Sequence, residues 1–247
     1  MTEIPPNVLE SPLDVLLYWF GSEYSDKDSE AISSVEYIQG RMPLWFARSS
    51  QAFDDMQMLN KHLIDKAISD PIWNENCPTT CLAKVILFDQ FPRSIYRGTA
   101  KAFCYEKHTN AAIEVMFQSN WLTDSSIVYS SSEIFFIVVA LQHSEDLATQ
   151  TCGYNLAKSL LLRSSEGPEV NDVHDASMSA ISSKAKEPES GANIPVGMKQ
   201  QMVEYLTSLK GFPGEHYDVI VKFGRFPSRN DILVSRMNDV CRSGIAI

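Results

Sequence analysis

The run Ile134-Phe135-Phe136-Ile137-Val138-Val139-Ala140-Leu141 constrains the fold more than any other stretch, because eight consecutive apolar residues must be buried on every side. Rich in β-branched and aromatic side chains, it reads as a strand or as a helix. No neighbouring segment offers it a partner strand, and a lone strand cannot satisfy its own backbone N–H and C=O groups. It is therefore predicted to be the central helix of an all-α fold. The other segments must supply the helices that cover it.

Those helices are legible from caps and spacing. Ser11 caps the first, with Pro12 at its first position and Asp14 against the positive end of its dipole. Leu13, Leu16, Leu17 and Phe20 recur at helical spacing, and Gly21 closes the helix. A polar loop from Ser22 to Ser34 leads to a second helix reaching Trp45 and Phe46, with Pro43 at a turn or kink. Ser49 or Ser50 caps a third, whose single stripe of Phe53, Met56, Leu59, Leu63 and Ala67 stops at Asp70-Pro71. Another helix runs from about Thr80 to Phe91, and one long or two short helices fill Thr99 to Phe117, with Trp121 plugging the gap behind them. Ser144, as N-cap with Glu145 and Asp146 in the first turn, opens a helix through Tyr154, Leu156 and Leu161.

From Arg163 to Gly197 the period is lost and Ser, Glu, Pro, Gly, Ala and Lys dominate, which predicts a disordered surface insertion over 163–197. Beyond it come an amphipathic helix carrying Met198, Met202, Leu206 and Leu209, a turn from Gly211 to Gly214, a strong helix from Glu215 to Phe223, and a short helix in the tail from Asn230 to Met237. The reading is one helical domain over residues 1–247, an all-α solenoid or irregular bundle of eight to ten helices.

Two similar segments stand far apart in this frame: Phe88-Asp89-Gln90-Phe91-Pro92-Arg93 and Phe223-Gly224-Arg225-Phe226-Pro227-Ser228. The residue before a proline is biased out of the helical region, so each is expected to turn. Arg93 and Arg97 follow the first, and Arg225 and Arg229 surround the second. Four guanidiniums that cannot lose their charge predict recognition of an anion. The net charge of −10 and the absence of any long basic run disfavour nucleic acid and anionic membrane as partners. A small anionic molecule or an acidic peptide end fits better.

A third group, His143-Ser144-Glu145-Asp146, follows the buried run directly, and His216 lies eight residues before Gly224. If the helices bring these together, the pocket gathers Asp89, Gln90, Arg93, Arg97, His143, Glu145, Arg225, Arg229 and Asn230. Three uses compete. The acids can brace the arginines and tie helix ends together. The arginines can grip a carboxylate or phosphate. As a hydrolase site, His143 or His216 would be a general base oriented by Asp146 or Glu145, or the two histidines and an acid would hold a metal and its activated water. No fixed metal-binding spacing is present, so no metal site is predicted, and no motif names a cofactor.

The five cysteines form an odd, scattered set, which with an N-terminus unlike a secretory signal predicts reduced thiols in a cytoplasmic protein. Cys104 and Cys152 are read as core cysteines, and His62 and His108 as solvated. His174 belongs to the polar insertion.

The blocks quoted above also resemble a known family, domain of unknown function 924. The matching segments are Trp19-Phe20-Gly21, Trp45-Phe46 with Phe53-Asp54, Phe88 to Gly98, Ala102-Phe103, His143 to Asp146, His216, and Phe223 to Asn230, in order over about residues 13 to 233. Ser228 stands where the family has a histidine. The resemblance implies an all-α fold similar to tetratricopeptide-repeat arrays and brings no established activity.

Overall fold

The computed structural model describes residues 8–24, 32, 34–46, 51–74, 76–122, 129–165, 212–230 and 232. The predicted insertion beyond Ser165, the Met198–Leu209 helix, the serines expected to cap the third helix and nearly all of the tail helix lie outside them. The described residues are helical with no strand, in agreement with the all-α reading, and none of their helices is long and apolar enough to cross a membrane.

The first helix, α1 (Pro12–Phe20), starts as predicted with a capping box: the Ser11 hydroxyl accepts from the Asp14 N–H while the Asp14 carboxylate accepts from the Ser11 N–H. It ends at Gly21, whose φ of 85° and ψ of −178° are open only to glycine. The next helix, α2 (Val35–Phe46), carries Pro43 inside it rather than at a break. The stripe from Phe53 to Ala67 is not one helix but two, α3 (Gln51–Leu59) and α4 (His62–Ser69). The break falls at Asn60, fully buried, whose side chain accepts from the Leu9 N–H at 2.8 Å and donates to the Met56 carbonyl at 2.9 Å. Leu59 is left exposed.

The largest departure lies at the first Phe-Pro segment. The chain does not turn there: α5 (Pro78–Val85) continues through a π-helical turn, Ile86–Gln90, into α6 (Phe91–Ile95). Proline lacks the N–H that an α-helix would use, and its ring crowds the preceding turn. Widening the ladder by one residue, so that the Phe91 N–H reaches the Ile86 carbonyl, lets the helix pass. The chain turns only at Tyr96 and at Gly98, where φ is +77°. All five residues of the π turn are buried, Asp89 and Gln90 included.

A 3-10 turn (Ala100–Phe103) precedes α7 (Glu106–Gln118), so Thr99 to Phe117 holds a short and a long element. The apolar octet forms most of α8 (Ser131–Gln142), as predicted. It contacts α5, α7, α9 (Leu147–Ser165) and α10 (Phe212–Phe223). Phe136, fully buried, lies 4.8 Å from the Trp45 ring and 5.2 Å from Trp19, at the centre of the core. Among the described residues the last α-helix begins at Phe212, so Phe212 to Gly214, expected in a turn, are helical.

Candidate functional site

The centre of the α8 packing also fixes the site, because His143 is the C-cap of α8. The turn that follows is held by two amides. Gln142 donates to the Gln150 carbonyl at 3.0 Å, and Gln150 donates back to the carbonyls of Gln142 and Ser144 at 2.6 and 2.7 Å. Gly153 makes this possible: a Cβ there would come within 2.7 Å of the Gln142 amide and of Leu141 Cβ. The N-cap of α9 is Asp146, not Ser144, since the Asp146 carboxylate accepts from the Thr149 N–H at 2.8 Å. Asp146 is thereby committed to the helix end and exposed, away from His143 Nδ1.

The acid that orients His143 is Asp89. Its carboxylate lies 2.8 Å from His143 Nδ1, accepts from Arg93 at 3.1 Å and takes the Gln90 amide at 2.6 Å. The π turn buries Asp89 and aims it at α8. Burial works against its ionised form, yet the charge His143 carries once protonated, the Arg93 guanidinium and hydrogen bonds from both hold the carboxyl well below the usual range. His143 moves the other way: burial, reinforced by Arg93 and His216 and only partly opposed by Asp89, pulls it from 6.5 down to about 4. At neutral pH the imidazole is therefore neutral. With Asp89 ionised, the 2.8 Å contact places the proton on Nδ1 and leaves the Nε2 lone pair open, and Nε2 has no hydrogen-bond partner among the described residues. A buried carboxylate, an oriented neutral imidazole and an open lone pair are the parts of a general base.

Around this pair is a cavity of about 290 Å³, counting its open mouth, lined by Asp89, Arg93, Phe103, Glu106, His143 and Arg229 among others. Its closed centre offers only about 10 Å³ to a water-sized group, roughly one water molecule. Arg229 reaches it from the second Phe-Pro segment, donating to the His143 carbonyl at 2.8 Å and pairing with Glu145 at 3.2 Å. The Arg229 guanidinium lies 4.3 Å from the Phe103 ring and 4.5 Å from Phe226. Burial and the neighbouring Arg93 lower its pKa from the ordinary value. The two segments therefore meet in space, with His143 between them, although only the second is a turn.

Not all predicted residues join. Arg97 lies beyond the end of α6, half-exposed, and pairs with Asp54 at 3.0 Å on the surface. Arg225 is exposed, and neither it nor Asn230 lines the cavity. Gln90 acts only through Asp89. His216 is near, its ring 6.3 Å from His143 and 5.6 Å from Phe226. Glu106 and Phe103 line the cavity without having been singled out. Glu106 is held there by the Ser144 hydroxyl. Among the described residues no group of three or more His, Cys, Asp or Glu is arranged to hold a metal ion. Of the two cysteines read as core, Cys152 is buried and Cys104 exposed. His62 and His108 are exposed as expected.

Comparison with curated proteins and with solved structures yields no match. The family model that does match covers residues 15–239, which includes every block of the site, and the chain belongs to the family described as "Bacterial protein of unknown function (DUF924)".

Proposed function

We propose that this protein binds a small anionic molecule between Arg93 and Arg229 and acts on it by hydrolysis, with His143 as general base. The observation that carries this reading is the contact between the buried Asp89 carboxylate and His143 Nδ1 at 2.8 Å, in a cavity that Arg93 and Arg229 also line. His143 would take the proton of an attacking water while Asp89 stabilises the imidazolium that forms. Arg229 and Arg93 would hold the anionic group and the charge that develops. His216, its ring centre 6.3 Å from that of His143, is a second imidazole near the site.

The test is turnover of a panel of small carboxylate-bearing esters and amides across pH. The expected rate has an acidic limb with a midpoint near 4, where His143 titrates, and drops about 10²- to 10⁴-fold in His143→Asn. Undiminished turnover in that variant would overturn the assignment. A second reading, an internal brace, is favoured by one observation: both cavity arginines already hold carboxylates. Under it, His143→Asn changes stability and there is no turnover to lose.

A further inference from the structure

The second Phe-Pro segment is pinned over the cavity by one carboxylate. Glu145 Oε1 accepts the Phe226 N–H at 3.1 Å and pairs with Arg229 Nη1 at 3.2 Å. Arg229, stacked against Phe103 and Phe226 and bonded to the His143 carbonyl, closes the cavity. With room for roughly one water at the centre, no organic anion enters while this arrangement stands. Entry requires Arg229 to move, and of its two polar partners, the His143 carbonyl at 2.8 Å and Glu145 at 3.2 Å, only Glu145 can be withdrawn by a side-chain rotation, its side chain being 29% exposed.

We propose that Glu145 is an internal stand-in for the ligand, so that a monocarboxylate binds by displacing it from Arg229 and releasing the Phe226–Arg229 segment. This rests on the reading of the cavity as an anion site and adds its ligand class and its gate. The class follows from charge and shape. Two guanidiniums, Arg93 and Arg229, and two carboxylates, Asp89 and Glu106, line the cavity. A monocarboxylate replacing Glu145 leaves the charge beside Arg229 unchanged and presents the same planar pair of oxygens. A phosphate dianion would add a second negative charge against Asp89 and Glu106, with tetrahedral bulk.

The experiment is amide exchange at Phe226 in the full chain, with sodium acetate as probe and sodium phosphate and sodium chloride at equal ionic strength as controls. The Gly224 amide, bonded to the Ile220 carbonyl at 2.8 Å just past the C-terminal end of α10, serves as internal reference. Acetate is expected to speed Phe226 exchange about tenfold relative to Gly224, the scale of one lost hydrogen bond. In Glu145→Ala the exchange is expected to be fast without acetate, and acetate to bind several-fold more tightly. Glu145→Gln, which keeps an acceptor for the Phe226 N–H but loses the charge, is expected to show the tighter binding alone and serves if the alanine variant does not fold. Unchanged Phe226 exchange under acetate, equal acceleration by phosphate, or unaltered acetate affinity in both variants would each overturn the proposal. His143→Asn turnover reads the underlying function separately, so a static Phe226 amide beside His143-dependent turnover would remove the gate and leave the base.

Discussion

Acidification should destabilise this protein through His143. In the unfolded chain the imidazole takes up its proton near 6.5, whereas in the native state it does so only near 4. Between those values the unfolded state binds more protons, so stability falls as pH falls. The shift corresponds to about 3 kcal/mol over the whole window at about 1.36 kcal/mol per unit. For a chain of this size 1 kcal/mol moves the melting temperature by roughly 2–4 °C, so wild type should lose about 6–12 °C from this source between pH 7 and pH 4. His143→Asn keeps an N–H donor toward Asp89 and cannot titrate. Thermal unfolding of both proteins in parallel isolates the effect, since the other four histidines are common to both. A steeper fall in wild type than in the variant is expected. Parallel curves would refute the buried neutral imidazole.

Phe136→Ala should cost about 3–5 kcal/mol, read as a lower denaturant midpoint, because Phe136 is fully buried among Trp19, Phe20 and Trp45. Gly153→Ala should destabilise by about 1–3 kcal/mol despite the better helix propensity of alanine. The new methyl would meet Leu141 Cβ and the Gln142 amide that fixes the His143 turn, and the His143 ring resonances should shift with it. Arg97→Ala should change denaturant stability by less than about 1 kcal/mol, as for other exposed pairs, whereas Arg229→Ala should cost about 2 kcal/mol or more by leaving Glu145 and the His143 carbonyl unpaired.

What was readable in the sequence was whatever depended on local rules. The apolar octet became α8 because only a helix can satisfy its own backbone there, and the Ser11-to-Gly21 signals gave α1 both of its ends. Pro92 misled because a local bias was overridden by a π turn that the surrounding core stabilises. Arg93 and Arg97 have the spacing of neighbours on one helix face, yet the helix stops at Ile95, and Arg97 turns to Asp54, 43 residues away in sequence. Asp89 was visible as a polar residue in an apolar stretch, but its partner His143 lies 54 residues on. The acids adjacent to His143 looked nearer and were already used, Asp146 as a cap and Glu145 on Arg229. Glu106 gave no signal beyond that of an ordinary acid at a helix start, because its partner Ser144 is 38 residues distant.

Every functional role proposed for this site requires His143 to be a neutral imidazole with its proton on Nδ1 and its lone pair on Nε2. Long-range ¹H–¹⁵N correlation of the histidine side chains, with His143 assigned by its absence in His143→Asn, reads both tautomer and charge. The expected result is the Nδ1–H form at pH 7, with protonation only near pH 4. An imidazolium at pH 7, or a neutral ring protonated on Nε2, would contradict it.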